Sequence, residues 1–488
     1  MKSTNKTMMQ YFEWYLPNDC NLWNNIIKLA PKFKQKGINI MWLPPCFKGA
    51  GGINDTGYGV YDLYDIGEFN QKGSVRTKYG TKDEYVAAVK ALQLEGINVL
   101  ADLVLNHRMG ADETQDIIAY EVNDENRNEV IGDYRPITAW TKFNFAGRNN
   151  KYSDFKLDWS HFTSIDYDLK ENKHGVFRFY GKHFSNEVDK ERGNYDYLMG
   201  CDVDFNNLDV VNDLNSWGKW FMSETNVDGF RLDAVKHIRA SFYKDFLRKI
   251  KNEFNRDFYT VGEYFSNNID SLLGYLDFNS EVTSLFDVPL HFKFKEASES
   301  FGNYDMRQIF EDTLVDRIPT KAVTFVDNHD TEPGQALDSW IQSWFKPLAY
   351  SMIMFRESGI PCIFYGDYYG IPEKNIPPMK ELLDIFLLVR KYLAYGKQTD
   401  YLDDPNIIGW CREGDYYHQD SGLVVIMSDK DGGGKQMNVG KNLANSILYD
   451  CTGNVKESVY VDEYGNGIFY TNGGSVSVWI KKDNMYNL

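Results

Sequence analysis

The stretch NVDGFRLDAVKH, residues 226–237, contains a short apolar run that is typical of a buried β-strand. Successive side chains of a strand point to opposite faces, so Arg231 and Asp233 share one face and the apolar residues share the other. Burying a charged pair is costly unless the two groups pair with each other or serve a function. The stretch alone therefore leaves two interpretations open, a structural ion pair or part of a functional site.

The same arrangement, a helix-like segment followed by a glycine and a short aliphatic strand, occurs four times. The four segments are QKGINIMWLPP (35–45), LEGINVLADLVLNH (94–107), NVDGFRLDA (226–234) and ESGIPCIFYG (357–366). We expect each glycine to end its helix in a left-handed cap and the β-branched residues to begin the strand. Thr81 and Glu84 have the spacing of a capping box, which predicts that the helix before Gly96 begins there.

Four more segments have the pattern of strands. They are TMMQYFEW (7–14), FYTVGEY (258–264), SLFDVPL (284–290) and AVTFVDNHD (322–330). The total is eight strands, most of them preceded by a helical pattern. This alternation predicts an α/β fold, a (β/α)₈ TIM barrel.

Two regions interrupt the alternation. Residues 108–205 are rich in Asn, Asp, Lys and Tyr without a sustained helical period, which predicts an inserted, irregular, β-rich subdomain B after strand 3. From about residue 394, short alternating strands are separated by Gly and Asn turns, which predicts a C-terminal antiparallel β-sandwich. The predicted domains are the catalytic barrel, 1–107 and 206–393, subdomain B, 108–205, and the C-terminal domain, 394–488. The predicted C-terminal strands are IIGWC (407–411), LVVIMS (423–428), GIFY (467–470) and SVSVWI (475–480).

Composition excludes several classes of partner. The 488 residues carry a formal net charge of −17, which argues against nucleic acid and anionic membranes, because both reward a basic surface. No apolar run reaches the 18 residues of a transmembrane helix, and the N-terminus does not have a signal-peptide pattern. Six cysteines are scattered without CxxC spacing, which is typical of free thiols in a reducing compartment. We therefore expect a cytoplasmic protein.

Polar side chains collect at the predicted carboxyl ends of the strands, where barrel enzymes carry their active sites. In chain order these residues are Asn106, His107, Arg231, Asp233, Lys236, His237, Glu263, His329 and Asp330. Each alone could be a capping residue or half of an ion pair, but their convergence on one rim favours a functional site. The chain has no P-loop, GxSxG or GxGxxG motif, so phosphate and dinucleotide chemistry are poorly supported.

Paired carboxylates in a cleft suit the cleavage of glycosidic bonds, in which one acts as nucleophile or base and the other as acid. Arg231 shares a face with Asp233 and should favour its ionised form, as a nucleophile requires. Glu263 has other carboxylates and apolar strand residues nearby, so it should keep its proton longer and can act as the acid.

These segments resemble the α-amylases of glycoside hydrolase family 13, most closely the bacterial liquefying-type enzymes and their cytoplasmic counterparts. Four segments resemble the signature regions in order: DLVLNH (102–107), DGFRLDAVKH (228–237), VGEYF (261–265) and FVDNHD (325–330). Further likeness lies in GYGVYDLYDIGEF (57–69), LMGCDVDF (198–205), WFKPLAY (344–350) and NGGSVSVWI (472–480). The resemblance covers nearly the whole chain and implies endo-acting hydrolysis of α-1,4-glucosidic bonds in starch, glycogen or maltodextrins.

The resemblance also implies roles for individual residues. Asp233 would be the nucleophile and Glu263 the acid/base of a retaining mechanism, while Asp330 would stabilise the transition state. The implied sugar contacts are Tyr58, His107, Arg231 and His329 at the cleavage point, with Lys236 and His237 on the leaving-group side. A retaining outcome requires that the two reacting carboxyl groups lie about 5–5.5 Å apart.

In this family a Ca²⁺ ion joins the insert to the barrel. The matching positions are Asn106, Asp196, Asp202 and the backbone carbonyl of His237, all of which are oxygen donors as Ca²⁺ prefers. Secreted relatives hold further metals with extra carboxylates, and in this chain three of those positions are uncharged: Thr163, Ser185 and Asn206. We therefore expect one structural Ca²⁺.

Two alternatives stay open. An exo-acting maltooligosaccharide hydrolase or a transglycosylase would use the same fold, and the two differ from an endo-hydrolase in water access and acceptor-side subsites. A non-catalytic glucan-binding protein is the third possibility, but such proteins typically lose a catalytic carboxylate and this chain retains all three. We expect a monomer whose partner is an α-glucan, with no nucleic-acid or membrane partner.

Overall fold

A computed structural model describes residues 4–487 and places the first three barrel strands before residue 104. Its elements in chain order are β1 Met8–Gln10, α1 Leu22–Lys36, β2 Ile40–Trp42, β3 Lys48–Gly49, β4 Val60–Asp62, α2 Lys82–Leu94 and β5 Asn98–Leu103. Helix α2 begins with the predicted capping box: the Thr81 side chain accepts from the Glu84 N–H, and the Glu84 side chain accepts from the Thr81 N–H.

The insert forms one six-stranded antiparallel sheet in the order β6-β11-β9-β10-β7-β8. Its strands are β6 His107–Arg108, β7 Glu113–Val122, β8 Val130–Lys142, β9 Phe162–Asp168, β10 Lys173–Phe179 and β11 Cys201–Val203. The β-rich character is therefore confirmed, but the subdomain is more regular than predicted. Its entry strand β6 pairs with its exit strand β11, so the chain leaves and rejoins the barrel at one place.

The remaining elements complete the barrel. They are α3 Leu208–Thr225, β12 Gly229–Leu232, α4 Ala240–Phe254, β13 Tyr259–Gly262, α5 Ile269–Asn279, β14 Ser284–Phe286, α6 Val288–Ser300, α7 Leu314–Arg317, β15 Ala322–Phe325, α8 Lys346–Phe355, β16 Ile360–Phe364, α9 Tyr365–Tyr369 and α10 Lys380–Tyr392. Eight parallel strands close in the order β1-β16-β15-β14-β13-β12-β5-β2. The predicted (β/α)₈ barrel and all eight of its strands are confirmed.

Apolar side chains fill the interior of the barrel, so the polar side chains that could form a functional site are confined to its rim. The interior residues include Met8, Ile40, Trp42, Leu100, Val261, Phe286, Val323 and Cys362. The register places Arg231 of β12 beside Asp102 of β5 and Val261 of β13.

The predicted glycine caps are confirmed for two of the four helices. Gly37 directly follows α1 and Gly96 follows α2 after Glu95, and both are left-handed, with φ of 88° and 73°. The prediction is wrong for Gly229, because Asn226 with φ of 50° caps α3 and Gly229 lies inside β12. It is also wrong for Gly359, which is left-handed but lies beyond the end of α8.

The C-terminal part contains eight antiparallel strands in two sheets, ordered β17-β18-β19-β24-β21-β22 and β20-β23. The strands are β17 Gln398–Tyr401, β18 Ile407–Arg412, β19 Leu423–Ser428, β20 Gly433–Asn438, β21 Ile447–Asp450, β22 Val459–Tyr460, β23 Asn466–Thr471 and β24 Ser475–Lys481. All four predicted strands are present, and four were missed because they are short or polar; β20, GGKQMN, has one apolar side chain of appreciable size. The exact domain bounds stay a prediction. Among the helices of residues 4–487, none combines the length and hydropathy that crossing a bilayer requires.

Candidate active site

Arg231 is the centre of a buried cluster of charged groups at the carboxyl ends of the strands. Its Nη1 donates to Asp102 Oδ1 at 2.9 Å and to Asp233 Oδ1 at 2.5 Å, and its Nη2 donates to Glu263 Oε2 at 2.7 Å. The predicted pairing of Arg231 with Asp233 is confirmed. The arginine also holds Glu263, so one guanidinium group bridges both of the predicted reacting carboxyl groups.

Asp102 is a further member of this cluster that the sequence analysis did not predict as a site residue. It is 1% exposed, and its Oδ2 accepts hydrogen bonds from Trp42 Nε1 at 2.9 Å and from the Tyr58 hydroxyl at 2.8 Å. The available signal was a charged residue inside the apolar run NVLADLVL, the same signal that identified Arg231. Asp102 fixes both the guanidinium of Arg231 and the ring of Tyr58.

The environment of the carboxyl groups separates their protonation states. Burial raises the pKa of Asp233 to about 6, and Arg231 acts in the opposite direction, as predicted. Burial also raises the pKa of Glu263, Arg231 opposes that rise and the charge of Asp233 adds to it. The charge of Asp233 opposes ionisation of Glu263 while Arg231 favours the ionised form of Asp233, which is the order that an ionised nucleophile beside an acid requires.

The backbone after Asp233 is strained in a way that connects the two carboxyl groups. Ala234 has φ of 49°, in the left-handed region that residues with a Cβ seldom adopt. In this conformation its N–H donates to Glu263 Oε2 at 3.1 Å, and the Val235 N–H donates to the Glu263 carbonyl at 3.0 Å. The turn therefore holds the end of β12 against the end of β13, as strained backbone at functional sites often does.

Asp330 and His329 follow β15 and face the same cluster. The Asp330 side chain is 25% exposed, against 10% for Asp233 and 8% for Glu263, so it is the most accessible of the three carboxyl groups. Burial raises its pKa, and the charges of Glu263 and Asp233 add to the rise. Burial and Arg231 lower the pKa of His329 well below its usual value, so its ring is neutral.

Three nearly parallel rings form what we call the aromatic wall: Trp14, Tyr58 and His329. The Tyr58 and His329 centroids are 4.8 Å apart at 13°, and the Trp14 and Tyr58 centroids are 5.8 Å apart at 10°. Flat aromatic faces of this kind suit the apolar face of a sugar ring. The sequence analysis missed Trp14, because a single tryptophan after a strand is indistinguishable from a core residue.

The other predicted contacts lie at the junction with the insert. Lys236 Nζ donates to Glu191 Oε2 and to the Phe265 carbonyl, both at 2.9 Å. The His237 ring bonds to the Tyr195 carbonyl at 2.7 Å, and burial lowers its pKa to about 3. The His107 ring bonds to the Tyr58 carbonyl at 2.8 Å, and burial lowers its pKa to about 4. Both histidines are therefore neutral.

A groove of about 910 Å³ begins beside Lys236, at the upper end of the roughly 300–1,000 Å³ range of small-ligand sites. Residues of the insert, the β13 end and α5 line it, among them Glu191, Lys236, Tyr264, Phe265 and Tyr275. Two contacts join its walls: the bond between Lys236 and Glu191, and a hydrogen bond of 2.5 Å from the Tyr264 hydroxyl to Asp189 Oδ2. The groove lies on the side of the cluster predicted to hold the leaving group.

The predicted calcium ligands have the chemistry of a cation site. Both side-chain polar atoms of Asn106 are buried without a hydrogen-bond partner in the described residues. Burial raises the pKa of Asp196 to about 7 and that of Asp202 well above its usual value, and Asp196 adds to the rise at Asp202. Within residues 4–487 no group of three or more His, Cys, Asp and Glu side chains has metal-binding geometry, and the predicted set contains only two such side chains.

Known proteins resemble the chain over almost its full length. The family model described as the α-amylase catalytic domain matches residues 22–404, and the one described as the α-amylase C-terminal domain matches residues 423–480. An α-amylase of Geobacillus stearothermophilus is 52% identical over 480 residues, which are 98% of this chain and 87% of that protein.

Two further relatives carry more specific names. A glucan 1,4-alpha-maltohexaosidase of Bacillus sp. (strain 707) is 51% identical, covering 98% of this chain and 93% of that protein. A cytoplasmic α-amylase of Escherichia coli (strain K12) is 43% identical, covering 98% of this chain and 99% of that protein. With a family match over most of its length, the chain belongs to the α-amylase family, the glycoside hydrolases that act on α-1,4-glucans.

Proposed function

We propose that this protein is an endo-acting, retaining hydrolase of α-1,4-glucosidic bonds in starch, glycogen or maltodextrins. The observation that carries the proposal is the bridge formed by Arg231 between Asp233 and Glu263 at the mouth of the barrel. One arginine shared by two carboxyl groups with raised pKa values suits a nucleophile and an acid that act on the same bond.

In the proposed mechanism, Asp233 attacks the anomeric carbon while Glu263 protonates the leaving glycosidic oxygen. This step releases the leaving-group part of the glucan. The other part stays bound to Asp233 as a covalent glycosyl-enzyme ester. Glu263, now ionised, takes a proton from water, whose oxygen attacks the anomeric carbon and releases Asp233. Asp330 stabilises the positive charge of the transition state, and Tyr58 stacks beneath the sugar at the cleavage point.

The groove beside Lys236 supports endo action, because it offers space for several sugar units on the leaving-group side. Lys236 lines that groove, and the adjacent His237 is buried with its ring bonded to the Tyr195 carbonyl. The relative named a maltohexaosidase gives a specific reason to keep an exo-acting or product-selective enzyme as the second candidate.

A time course of product sizes from soluble starch separates these candidates. We expect a broad early distribution of intermediate oligosaccharides, because an endo-acting enzyme cleaves at internal positions. A single short product from the first time points would identify an exo-acting enzyme, and products longer than a defined maltooligosaccharide substrate would identify a transglycosylase. The Glu263→Gln variant is the control for contaminating amylase.

We also propose one structural Ca²⁺, held by Asn106, Asp196, Asp202 and the backbone carbonyl of His237. The amide of Asn106, unpartnered in the described residues, and the effect of Asp196 on the pKa of Asp202 support a cation at this place. At the three positions where secreted relatives carry extra carboxylates, the uncharged side chains of this chain form hydrogen bonds within the protein. Thr163 donates to Asp202, the Glu187 N–H donates to Ser185 Oγ, and Arg239 donates to Asn206. These bonds favour a single ion.

Calcium removal tests this proposal. We expect elemental analysis to find one Ca²⁺ per chain after dialysis and a chelator to lower Tm, since a ligand at 100 times its Kd stabilises a protein by about 2.7 kcal/mol. Asn106→Ala should lose the ion and most of the chelator effect. Asn279→Ala also removes a buried asparagine whose side chain has no hydrogen-bond partner among residues 4–487, and this variant should retain both. Two or more ions per chain, or a Tm independent of calcium, would contradict the proposal.

Finally, we propose that the protein acts as a monomer in the cytoplasm. The name of the Escherichia coli relative supports this location, and so do the cysteines, which are all free in the described residues. The net charge of −17 fits a neutral glucan as the partner.

A further inference from the structure

Two loops at the barrel rim are joined through a carboxyl group that the proposed mechanism does not use. The β1 loop, residues 11–16, follows the first barrel strand, and the β15 loop, residues 326–335, follows the seventh. The Trp14 N–H donates to Glu332 Oε1 at 2.7 Å. Two further contacts accompany this bond, from the Tyr15 hydroxyl to the Pro333 carbonyl at 2.9 Å and from Gln335 Nε2 to the Tyr15 hydroxyl at 2.7 Å.

Glu332 is fully buried, and its Oε2 has no hydrogen-bond partner in the described residues. A buried carboxyl group with one free oxygen costs free energy, so it needs a compensating role. Its bonded oxygen holds the backbone of Trp14, whose ring belongs to the aromatic wall. Glu332 also lies two residues after Asp330, so the same bond connects the wall to the loop that carries a predicted catalytic group.

Burial, together with the acidic groups around Glu332, keeps it in its neutral form. Burial raises the pKa of Glu332 to about 9; the Trp14 N–H opposes that rise, and Glu13 of the β1 loop and Asp330 and Asp327 of its own loop add to it. Burial raises the pKa of Glu13 to about 7; Lys78 opposes that rise and Glu373 adds to it. A glutamine at position 332 would therefore keep both the charge and the acceptor that the native side chain has at neutral pH.

We propose that Glu332 is a positioning residue for glucan cleavage, which holds the Trp14 backbone and thereby sets the aromatic wall against the bound sugar. The proposal rests on the proposed function, because it assumes that a glucan binds against this wall. Stacking on the wall acts on substrate and transition state alike, so its loss should appear in KM more than in kcat.

A double-mutant cycle with Glu332→Ala and Trp14→Ala tests the proposal on a maltooligosaccharide of defined length. Each single variant should raise KM about tenfold and change kcat by less than about threefold. The double variant should have the KM of Trp14→Ala alone, because Glu332 acts through Trp14. Glu332→Gln should stay within about twofold of the native KM, since its amide oxygen can accept the same N–H.

The control for a merely structural role is Asp450→Ala in the C-terminal domain. Asp450 is also buried and also accepts backbone N–H groups, from Thr452 and Val478, but it lies outside the barrel. The Asp450→Ala variant should have a lower Tm and an unchanged KM. Additive effects in the double variant, an unchanged KM in Trp14→Ala, or a Glu332→Gln variant as impaired as Glu332→Ala would each overturn the positioning role. A native protein that releases no product from α-1,4-glucans would instead count against the proposed function.

Discussion

Glu263→Gln is expected to lower kcat by about 10²–10⁴-fold, the range attributed to a positioned general acid or base. Glutamine can neither protonate the leaving oxygen nor take a proton from water. Its amide oxygen can still accept from Arg231 Nη2 and from the Ala234 N–H, so the geometry of the cluster should persist. Steady-state kinetics on a maltooligosaccharide, with substrate binding measured by titration calorimetry, should therefore show a lost kcat and a Kd close to that of the native protein.

The identity of the leaving group provides a second check on this variant. An aryl maltoside with an acidic phenol needs little protonation, so the first release of phenol by Glu263→Gln should be impaired much less than cleavage of a natural glucan. Glu311→Gln, the same change at an exposed position, is the matched control and should behave like the native protein. Equal loss on both substrates would contradict the assignment of Glu263 as the acid.

Arg231→Leu is expected to impair both turnover and stability. Its guanidinium group makes three bonds to carboxylates, and removing such a preorganised donor costs about 10²–10³-fold in kcat. Breaking a buried ion pair by removing one partner costs about 3–5 kcal/mol. Both losses are expected together because the structure places three carboxyl groups around this one cation.

The pH dependence of Arg231→Leu distinguishes its two effects. Arg231 lowers the pKa of Asp233, so its removal should raise that pKa above about 6 and move the acid limb of kcat/KM to higher pH. The stability loss should be largest at neutral pH, where the folded protein must hold ionised carboxylates without a partner. It should shrink as the pH falls and they become protonated.

Arg248→Leu is the matched control, because Arg248 makes an exposed ion pair with Glu281. Removing that pair should leave both the free energy of unfolding and kcat nearly unchanged, because solvent screens an exposed ion pair. If Arg231→Leu lost stability but kept its native kcat, Arg231 would be a structural ion-pair residue only. That outcome would favour the interpretation of NVDGFRLDAVKH as a structural ion pair over its interpretation as part of a functional site.

Several features could be predicted because their positions follow from local patterns. The eight barrel strands could be predicted because helical and strand-like periods alternate, and the placement of Asp233, Glu263 and Asp330 on one rim could be predicted because parallel strands end there. Their catalytic roles stay a prediction. Asp102 carried the same signal as Arg231 and was missed.

Other features depend on contacts that no local pattern encodes. Trp14 and Glu332 are 318 residues apart in sequence, and only the closure of the barrel brings the loops after β1 and β15 together. The bridge from Arg231 to Glu263 likewise depends on the register between β12 and β13. Four C-terminal strands were missed because short polar segments pair through their backbones and need few apolar side chains.

The pairing of β6 with β11 at the neck of the insert has a consequence for how this enzyme can diverge. The insert begins with β6 and ends with β11, and these two strands pair with each other. The insert is therefore attached to the barrel in the way that a short, closed loop would be. Lengthening a loop costs only about 0.6 kcal/mol for each doubling of its length. The distal β7–β8 hairpin can therefore grow, shrink or change its surface while the neck keeps Asn106 and His107 in place. Natural variation and laboratory recombination should accordingly tolerate new insert sequences far better than new neck sequences.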